Sequence, residues 1–232
     1  MDKRLVIAID GPAGAGKSTL AKMLAKKLNY TYIDTGAMYR ALTLKVLNQN
    51  VNFKDIDKII ALANSTIIEL VNSPFADQPK VLLDGKDVTK EIRDPLVSQH
   101  VSLVAKIPEV RKRMLVLQRR IGENGGVVMD GRDVGTVVLP NADLKFFVTA
   151  DINSRAERRL KDLLNQGYEV DYESVLEELI ERDRIDSNRE VAPLRPAEDA
   201  IFIDTTGSTI QENLDKIVSY IEKKLIQIEG DN

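Results

Sequence analysis

The sequence GPAGAGKST, at residues 11–19, places three glycines, a lysine and two hydroxyl side chains within nine positions. It matches the pattern G-x-x-x-x-G-K-[ST], and it lies between an apolar run at residues 5–9 and a stretch of helical spacing that ends at Asn29. Glycines let successive backbone N–H groups point at one anion, and the start of the following helix adds unpaired donors. The stretch predicts a phosphate-binding loop (P-loop), with Lys17 at the β- and γ-phosphates of a nucleoside triphosphate and Ser18 on Mg²⁺. A glycine-rich turn that only caps a helix is the alternative.

The composition narrows the class of protein. Of the 232 residues, 33 are Lys or Arg and 36 are Asp or Glu, which gives a net charge of −3. A mildly acidic chain is a poor candidate for long contacts with duplex nucleic acid. The absence of cysteine and the single histidine, His100, exclude disulfides, thiolate metal sites and His-rich metal sites. No apolar run approaches the roughly 20 residues of a membrane span. We therefore expect a cytoplasmic protein with neither nucleic-acid nor membrane partners. Separately, we expect a monomer, although the composition does not determine the oligomeric state.

Short apolar runs separated by helical stretches predict an α/β fold with a parallel sheet, because strands between two helix layers are buried on both faces. The predicted strands are residues 5–9, 30–34, 127–129, 144–149 and 201–203. The predicted helices include residues 37–49, 154–166, 172–185 and 209–227, and two that begin at Pro95 and Pro108. The last helix opens with the capping-box pattern Thr209-Ile210-Gln211-Glu212.

The middle of the chain has a different pattern. Two β-rich runs, at residues 66–71 and 81–83, are separated by a predicted loop at residues 73–79. The dipeptide Asp84-Gly85 that follows is a hairpin signal. We therefore predict a small antiparallel insertion at about residues 64–92.

Charged side chains follow several predicted strands. Asp130 ends the run at residues 127–129, and we expect it beside the P-loop at the carboxyl edge of the sheet, where it could hold Mg²⁺ directly or through water; a helix-capping aspartate is the alternative. Arg40 and Arg132 also come shortly after strand ends. Further arginines share helix faces by their spacing, namely Arg155, Arg158 and Arg159, and Arg182 and Arg189 with Asp186. Guanidinium groups at several strand ends of an acidic chain predict that the protein binds more than one phosphate group, as phosphoryl transfer between two anions requires. For the arginines on helices, a solvated face is the alternative.

Longer strings carry a resemblance to a known family. Besides GPAGAGKST, they are DTGAMYR at residues 34–40, DGRDVGT at 130–136, NREVAPL at 188–194, and PAEDA at 196–200 followed by DTT at 204–206. Together they are similar to bacterial cytidylate kinase over nearly the whole chain. Many families share the P-loop string, whereas DTGAMYR, DGRDVGT and NREVAPL are far more specific.

The resemblance implies the P-loop nucleoside monophosphate kinase fold. This fold has a five-stranded parallel sheet flanked by helices, a monophosphate-binding domain enlarged by a small antiparallel sheet, and a short helical lid. It divides the chain into a core at residues 1–35, 116–153 and 187–232, a monophosphate-binding domain at 36–115, and a lid at 154–186. The implied reaction is the Mg²⁺-dependent conversion of ATP and CMP or dCMP to ADP and CDP or dCDP, in pyrimidine nucleotide metabolism.

The resemblance also implies residue roles. The catalytic residues would be Lys17, Asp130, Arg132 and Arg189. ATP would bind to Gly11, Pro12, Ala13, Gly14, Ala15, Gly16, Lys17, Ser18, Thr19, Arg155 and Arg158, with Ser18 and Asp130 at the metal. The monophosphate would bind to Thr35, Arg40, Ser102, Arg111, Arg132, Asp133, Arg182, Asp186 and Arg189. Within that set, the acceptor phosphate would be held by Arg40, Arg132 and Arg189, the cytosine by Ser102, Arg111 and Asp133, and the sugar by Arg182 and Asp186.

Two other functions stay open at this point. The first is a kinase of another monophosphate, such as UMP or AMP. The second is an ATP-dependent regulatory or nucleic-acid-associated switch, which the acidic balance and the arginines at strand ends disfavour. A G protein is excluded, because the sequence has no base-reading Asn-Lys-x-Asp string.

Overall fold

The computed structural model describes residues 4–71, 79–122 and 125–230, with Glu229 described by its backbone alone. Along the chain, the elements are β1 (Val6–Asp10), α1 (Lys17–Leu28), β2 (Thr31–Asp34), α2 (Thr35–Asn48), α3 (Ile56–Ser65), β3 (Ile68–Val71), β4 (Lys80–Leu83), β5 (Lys86–Asp87), α4 (Pro95–Ala105), α5 (Pro108–Gly122), β6 (Val127–Gly131), β7 (Leu144–Thr149), α6 (Ile152–Asn165), α7 (Tyr172–Asn188), β8 (Ile201–Asp204) and α8 (Ile210–Gly230). A short 3-10 turn at Glu91–Arg93 precedes α4, and a π-helical turn at Val134–Val138 follows β6.

The five-stranded sheet is parallel throughout, in the order β2-β6-β1-β7-β8, which confirms the prediction. Helices α1 and α8 cover one face, where Leu20 and Ile217 pack against the central strand. The other face packs against the π-helical turn. Because the strands are parallel, the carboxyl ends of β1, β2 and β6 meet at one edge, and they carry Asp10, Asp34 and Asp130. This edge is where the site forms.

The predicted insertion is an antiparallel three-stranded sheet in the order β3-β4-β5. Its hairpin turns at Asp84 and Gly85, which both adopt the left-handed conformation, with φ of 50° and 82°, as a type I′ turn requires. The predicted loop at residues 73–79, apart from Pro79, lies outside the described residues. The insertion shares a core of its own with helices α2, α3, α4 and α5.

The predicted helices form, with small shifts at their ends. Helix α2 begins two residues earlier than expected, because Asp34 caps it by accepting the amide of Ala37 at 2.9 Å. The capping box of α8 is confirmed, since the amide of Thr209 donates to Glu212 Oε2 at 2.8 Å and the amide of Glu212 donates to Thr209 Oγ1 at 3.2 Å. Helix α3, capped by Asp55, was not predicted. No helix within the described residues is long and apolar enough to cross a membrane.

Candidate active site

The P-loop connects β1 to α1 and depends on its glycines. Gly11 has φ of 144°, and a Cβ added there would lie 1.9 Å from the carbonyl oxygen of Val148 on the neighbouring strand, so no other residue fits. Gly16 caps α1 with φ of 83°. Lys17 follows, buried, with Nζ donating to the carbonyl oxygen of Pro12 at 2.6 Å. Burial, with Arg132 nearby, lowers the pKa of Lys17.

A cavity of about 640 Å³ joins the P-loop to the predicted acceptor residues, and it is large enough for small-molecule ligands. Its lining carries eight arginines and two lysines against five aspartates. A cavity with this excess of cations in a chain of net charge −3 fits a strongly anionic ligand. Most predicted site residues line it, namely Ala13, Gly14, Gly16, Lys17, Ser18, Thr19, Thr35, Arg40, Ser102, Arg111, Asp130, Arg132, Asp133, Arg158, Arg182, Asp186 and Arg189. Gly11, Pro12, Ala15 and Arg155 do not line it.

Asp130 lies at the end of β6, buried, with both carboxylate oxygens held by hydroxyl groups. Its Oδ2 accepts from Ser18 Oγ at 2.8 Å, and its Oδ1 accepts from the hydroxyl of Tyr32 at 2.8 Å. The hydroxyl of Thr35 donates to the backbone oxygen of Asp130 at 2.8 Å. Burial raises the pKa of Asp130, and the nearby Asp34 raises it further.

The oxygens of Asp130 and Ser18 fit Mg²⁺, which usually takes one or two protein oxygens and completes its shell with substrate phosphates and water. Among the described residues, no group of three or more acidic or histidine side chains could hold a metal. Tyr32, which contacts Asp130, is a site residue that was not predicted from the sequence. Its position could have indicated this, because Tyr32 lies two residues before Asp34 on β2 and the two side chains therefore lie on the same face of the strand.

Asp34 anchors two arginines at the entrance to α2. Its Oδ2 pairs with Arg40 at 2.9 Å and with Arg93 at 2.7 Å. Burial alone would raise the pKa of Asp34, but the two guanidinium groups hold it well below its ordinary value. Arg93 was not predicted, because no motif marks the turn after the insertion from which it reaches back to β2.

Asp133 and Asp186 organise the opposite wall. Asp133 accepts hydrogen bonds from Arg111 and, at 3.4 Å, from Arg189. Asp186 accepts from Ser102 Oγ at 3.1 Å and from Arg132 Nε at 2.9 Å. The structure thus brings together residues from α4, α5, α7 and the end of β6 that the resemblance had grouped.

Several guanidinium nitrogens of the cavity lack a protein partner. Among the described residues, Arg40 Nε, Arg182 Nε and Arg159 Nη2 are buried without a hydrogen-bond acceptor. Burial, with Arg132 nearby, lowers the pKa of Arg182 to about 10. Buried donors of this kind are costly unless a ligand satisfies them, and the oxygens of a phosphate group would do so.

The two arginines predicted to bind ATP lie in different environments. Arg155 is buried behind the P-loop, where it donates to the carbonyl oxygen of Ala13 at 3.0 Å and pairs with Asp183 on α7 at 2.6 Å. It therefore connects α6 and α7 to the loop. Arg158 lines the cavity and donates to the backbone oxygen of Thr205 at 2.6 Å.

The fold and the site define a class: a P-loop at the carboxyl edge of a parallel sheet, facing a second set of arginines across one cavity, is the arrangement of a P-loop phosphotransferase. Comparison with known proteins gives the family. The family model for cytidylate kinase matches residues 7–223, and the chain belongs to this family.

Curated relatives agree with that assignment, and a solved structure shares the fold. The cytidylate kinase of Desulforamulus reducens is 55% identical, over 96% of this chain and 99% of its own length. That of Bacillus subtilis is 52% identical, over 97% of this chain and 99% of its own length. The crystal structure of an uncharacterized protein from Eubacterium ventriosum shares the fold, with a TM-score of 0.52 at 15% identity, covering 95% of this chain and 99% of that one.

Proposed function

We propose that this protein transfers the γ-phosphoryl group of ATP to CMP and dCMP, giving ADP and CDP or dCDP by direct in-line transfer. The observation that carries the proposal, beside the family, is the single cavity in which the P-loop faces Ser102, Arg111 and Asp133. These three side chains match the hydrogen-bonding edge of cytosine.

On the donor side, the backbone N–H groups of the P-loop cradle the phosphates of ATP, and Lys17 follows the γ-phosphoryl group as it moves. Lys17 exchanges its bond to Pro12 for the phosphate oxygens. Ser18 and Asp130 would hold Mg²⁺, directly or through water. When bound, the metal neutralises charge on the β- and γ-phosphates. Arg158 lies beside the nucleotide.

On the acceptor side, Arg40, Arg132 and Arg189 hold the phosphate of CMP. Phosphoryl transfer needs the attacking oxygen in line with the bond that breaks, and positive groups neutralise the charge that spreads over the moving group. No general base is required, because the acceptor phosphate is already an anionic nucleophile. Catalysis then rests on positioning and on exclusion of water.

The base is read by complementary hydrogen bonds. Asp133 and Ser102 accept from the exocyclic amine of cytosine, and Arg111 donates to N3 and O2. Uracil presents a carbonyl where cytosine has the amine, so a carboxylate facing it is left unpaired. Asp186 and Arg182 bind the sugar.

The proposal also includes the division of the chain into domains, its location and its oligomeric state. Residues 1–35, 116–153 and 187–232 form the core, residues 36–115 the monophosphate-binding domain and residues 154–186 a lid that closes over bound nucleotides. The enzyme acts as a monomer in the cytoplasm. Sedimentation with and without nucleotides tests the oligomeric state.

The proposal is tested by assaying the purified protein with ATP, Mg²⁺ and each nucleoside monophosphate. CMP and dCMP are expected to be the best acceptors. Faster turnover of UMP, AMP, GMP or dTMP would assign a different substrate. ATP hydrolysis stimulated by a macromolecule and not by any monophosphate would indicate a regulatory switch instead.

A further inference from the structure

A buried carboxylate lies beneath the site at the end of β1. Asp10 directly precedes the P-loop, is 4% exposed and does not line the cavity. Its Oδ1 accepts the amide of Val134 at 2.8 Å, and its Oδ2 accepts the amide of Gly135 at 2.7 Å. One side chain thus joins the start of the P-loop to the segment that carries Arg132 and Asp133. We call residues 132–135 the acceptor segment.

The backbone bonds of the sheet do not fix the acceptor segment. Strands β1 and β6 run in parallel register, and their last pair is Asp10 with Gly131. Beyond that pair the chain leaves the sheet and enters the π-helical turn at Val134–Val138. The two side-chain bonds of Asp10 therefore hold the amides of Val134 and Gly135, three and four residues past the end of the ladder.

The residue type matters for this contact. Two adjacent amides that point to one place need two acceptor oxygens on one group, which a carboxylate supplies. Asparagine has a single acceptor oxygen, and its NH₂ group would face the second amide. Burial raises the pKa of Asp10 to about 7, whereas the hydrogen bonds from the amides of Gly135 and Val134 lower it.

We infer that Asp10 is a positioning residue for phosphoryl transfer, which fixes Arg132 and Asp133 relative to the P-loop so that donor and acceptor phosphates meet in line. The inference rests on the proposed function. Asp10 does not line the cavity, so it acts through the relative placement of the two half-sites. Small misplacements of reacting groups cost large factors in rate.

The test is Asp10→Asn, which keeps the shape of the side chain and removes one acceptor. We expect kcat to fall about 10- to 100-fold. By calorimetry, the Kd values for ATP alone and CMP alone should change less than about threefold, because each half-site stays intact. A dinucleoside pentaphosphate that joins adenosine to cytidine occupies both half-sites, and its Kd should rise about as much as kcat falls.

The matched control is Asp143→Asn. Asp143 also accepts a backbone amide of β1, that of Val6 at 2.8 Å, but at the opposite end of the strand. This control should keep the kinetics and the pentaphosphate affinity of the wild type. All affinities are measured on the folded fraction from gel filtration, and Asp10→Ser serves as a second variant judged by the same comparison.

The outcomes are distinct. The inference is overturned if Asp10→Asn keeps kcat and pentaphosphate affinity within about twofold of the wild type. It is also overturned if the affinities for the single nucleotides fall in proportion to kcat, as a general loss of structure predicts. If the wild type does not phosphorylate CMP, the proposed function fails instead.

Discussion

At the scale of single residues, buried carboxylates organise the site, and each of them has hydrogen-bond or ion-pair partners. Asp34 holds two arginines, Asp130 holds two hydroxyl groups, and Asp186 joins Ser102 to Arg132. Buried charges are stabilised only when they are paired in this way. Replacing one residue of such a pair therefore removes its own charge and also leaves the charge of its partner buried without compensation.

Arg132 provides the most direct prediction. The variant Arg132→Ala should lower kcat about 10³-fold, because a guanidinium group that stabilises the moving phosphoryl is lost. The affinity for ATP should survive, since the P-loop is untouched. Steady-state kinetics and ATP titration measure the two effects. Arg184→Ala is the control, because Arg184 is exposed on α7 and pairs with Glu181 at the surface. Loss of ATP binding in Arg132→Ala would contradict the prediction.

Tyr32 gives a prediction about the metal. In Tyr32→Phe the ring stays but Oδ1 of Asp130 loses its donor at 2.8 Å. Groups that orient a metal ligand typically matter by 10- to 100-fold, so the Mg²⁺ concentration that gives half-maximal tightening of ATP binding should rise about tenfold. The control is Tyr30→Phe, whose hydroxyl accepts the amide of Leu5 away from the cavity. An equal Mg²⁺ requirement in both variants would argue against this role.

Asp10 predicts a pH dependence of stability. The pKa of Asp10 in the folded protein is about 7, above its ordinary value of about 3.9. The stabilising contribution of this group to the free energy of unfolding is therefore fully present below about pH 4 and is lost as the pH rises through about 7. Lys17 lowers this pKa and Asp133 raises it, and both are unchanged in Asp10→Asn. The wild-type free energy of unfolding minus that of the variant should therefore fall between pH 4 and 7, by up to about 1.4 kcal/mol per pH unit.

Urea unfolding of the nucleotide-free proteins across this range measures the difference. A difference that does not change with pH would show that Asp10 does not titrate in this window.

At the scale of elements, local chemistry explains what the sequence predicted well. Helix α8 begins where its capping box is written, and β3 to β5 form around an Asp-Gly turn. The strands of the parallel sheet were found because each is a short apolar run, as expected of a strand that is buried on both faces. Helix α3 was missed, although Asp55 caps it and Ile59 and Ala63 are buried at helical spacing.

The hairpin of the insertion is testable at this scale. Gly85 has φ of 82° and open space where a Cβ would be, so Gly85→Ala adds backbone strain and no clash. Left-handed backbone costs other residues about 1 to 2 kcal/mol, and the free energy of unfolding should fall by about that amount. The control is Gly230→Ala, also with open space but at the end of α8 and without a positive φ. Equal stability of the two variants in urea unfolding would contradict the assignment of a strained turn.

At the scale of the whole molecule, the insertion and the helices α6 and α7 have their own apolar clusters, apart from that of the main sheet. Units with separate cores move relative to one another unless their interface is large and apolar. The cavity lies among these units, and polar contacts such as that between Ser102 on α4 and Asp186 on α7 join them. We expect nucleotides to draw these units together.

Closure can be measured because the chain has no cysteine. Dyes on Asp57→Cys in α3 and Glu169→Cys between α6 and α7 should show higher energy transfer when CMP and a non-hydrolysable ATP analogue are both bound. Dyes on Lys27→Cys and Glu222→Cys, in the two helices on one face of the sheet, provide the control and should not change. Constant transfer in the first pair with both nucleotides bound would contradict lid closure.

The sequence by itself determined the P-loop, the α/β class and the family, because local spacing and short motif strings carry them. Only the tertiary structure showed the contacts of Tyr32, Arg93, Arg155 and Asp10. Tyr32 lies 98 positions from its partner Asp130, and Asp10 lies 124 from Val134. Such pairs exist because the strand order β2-β6-β1 brings three distant strand ends to one edge, and no local pattern in the sequence encodes that order.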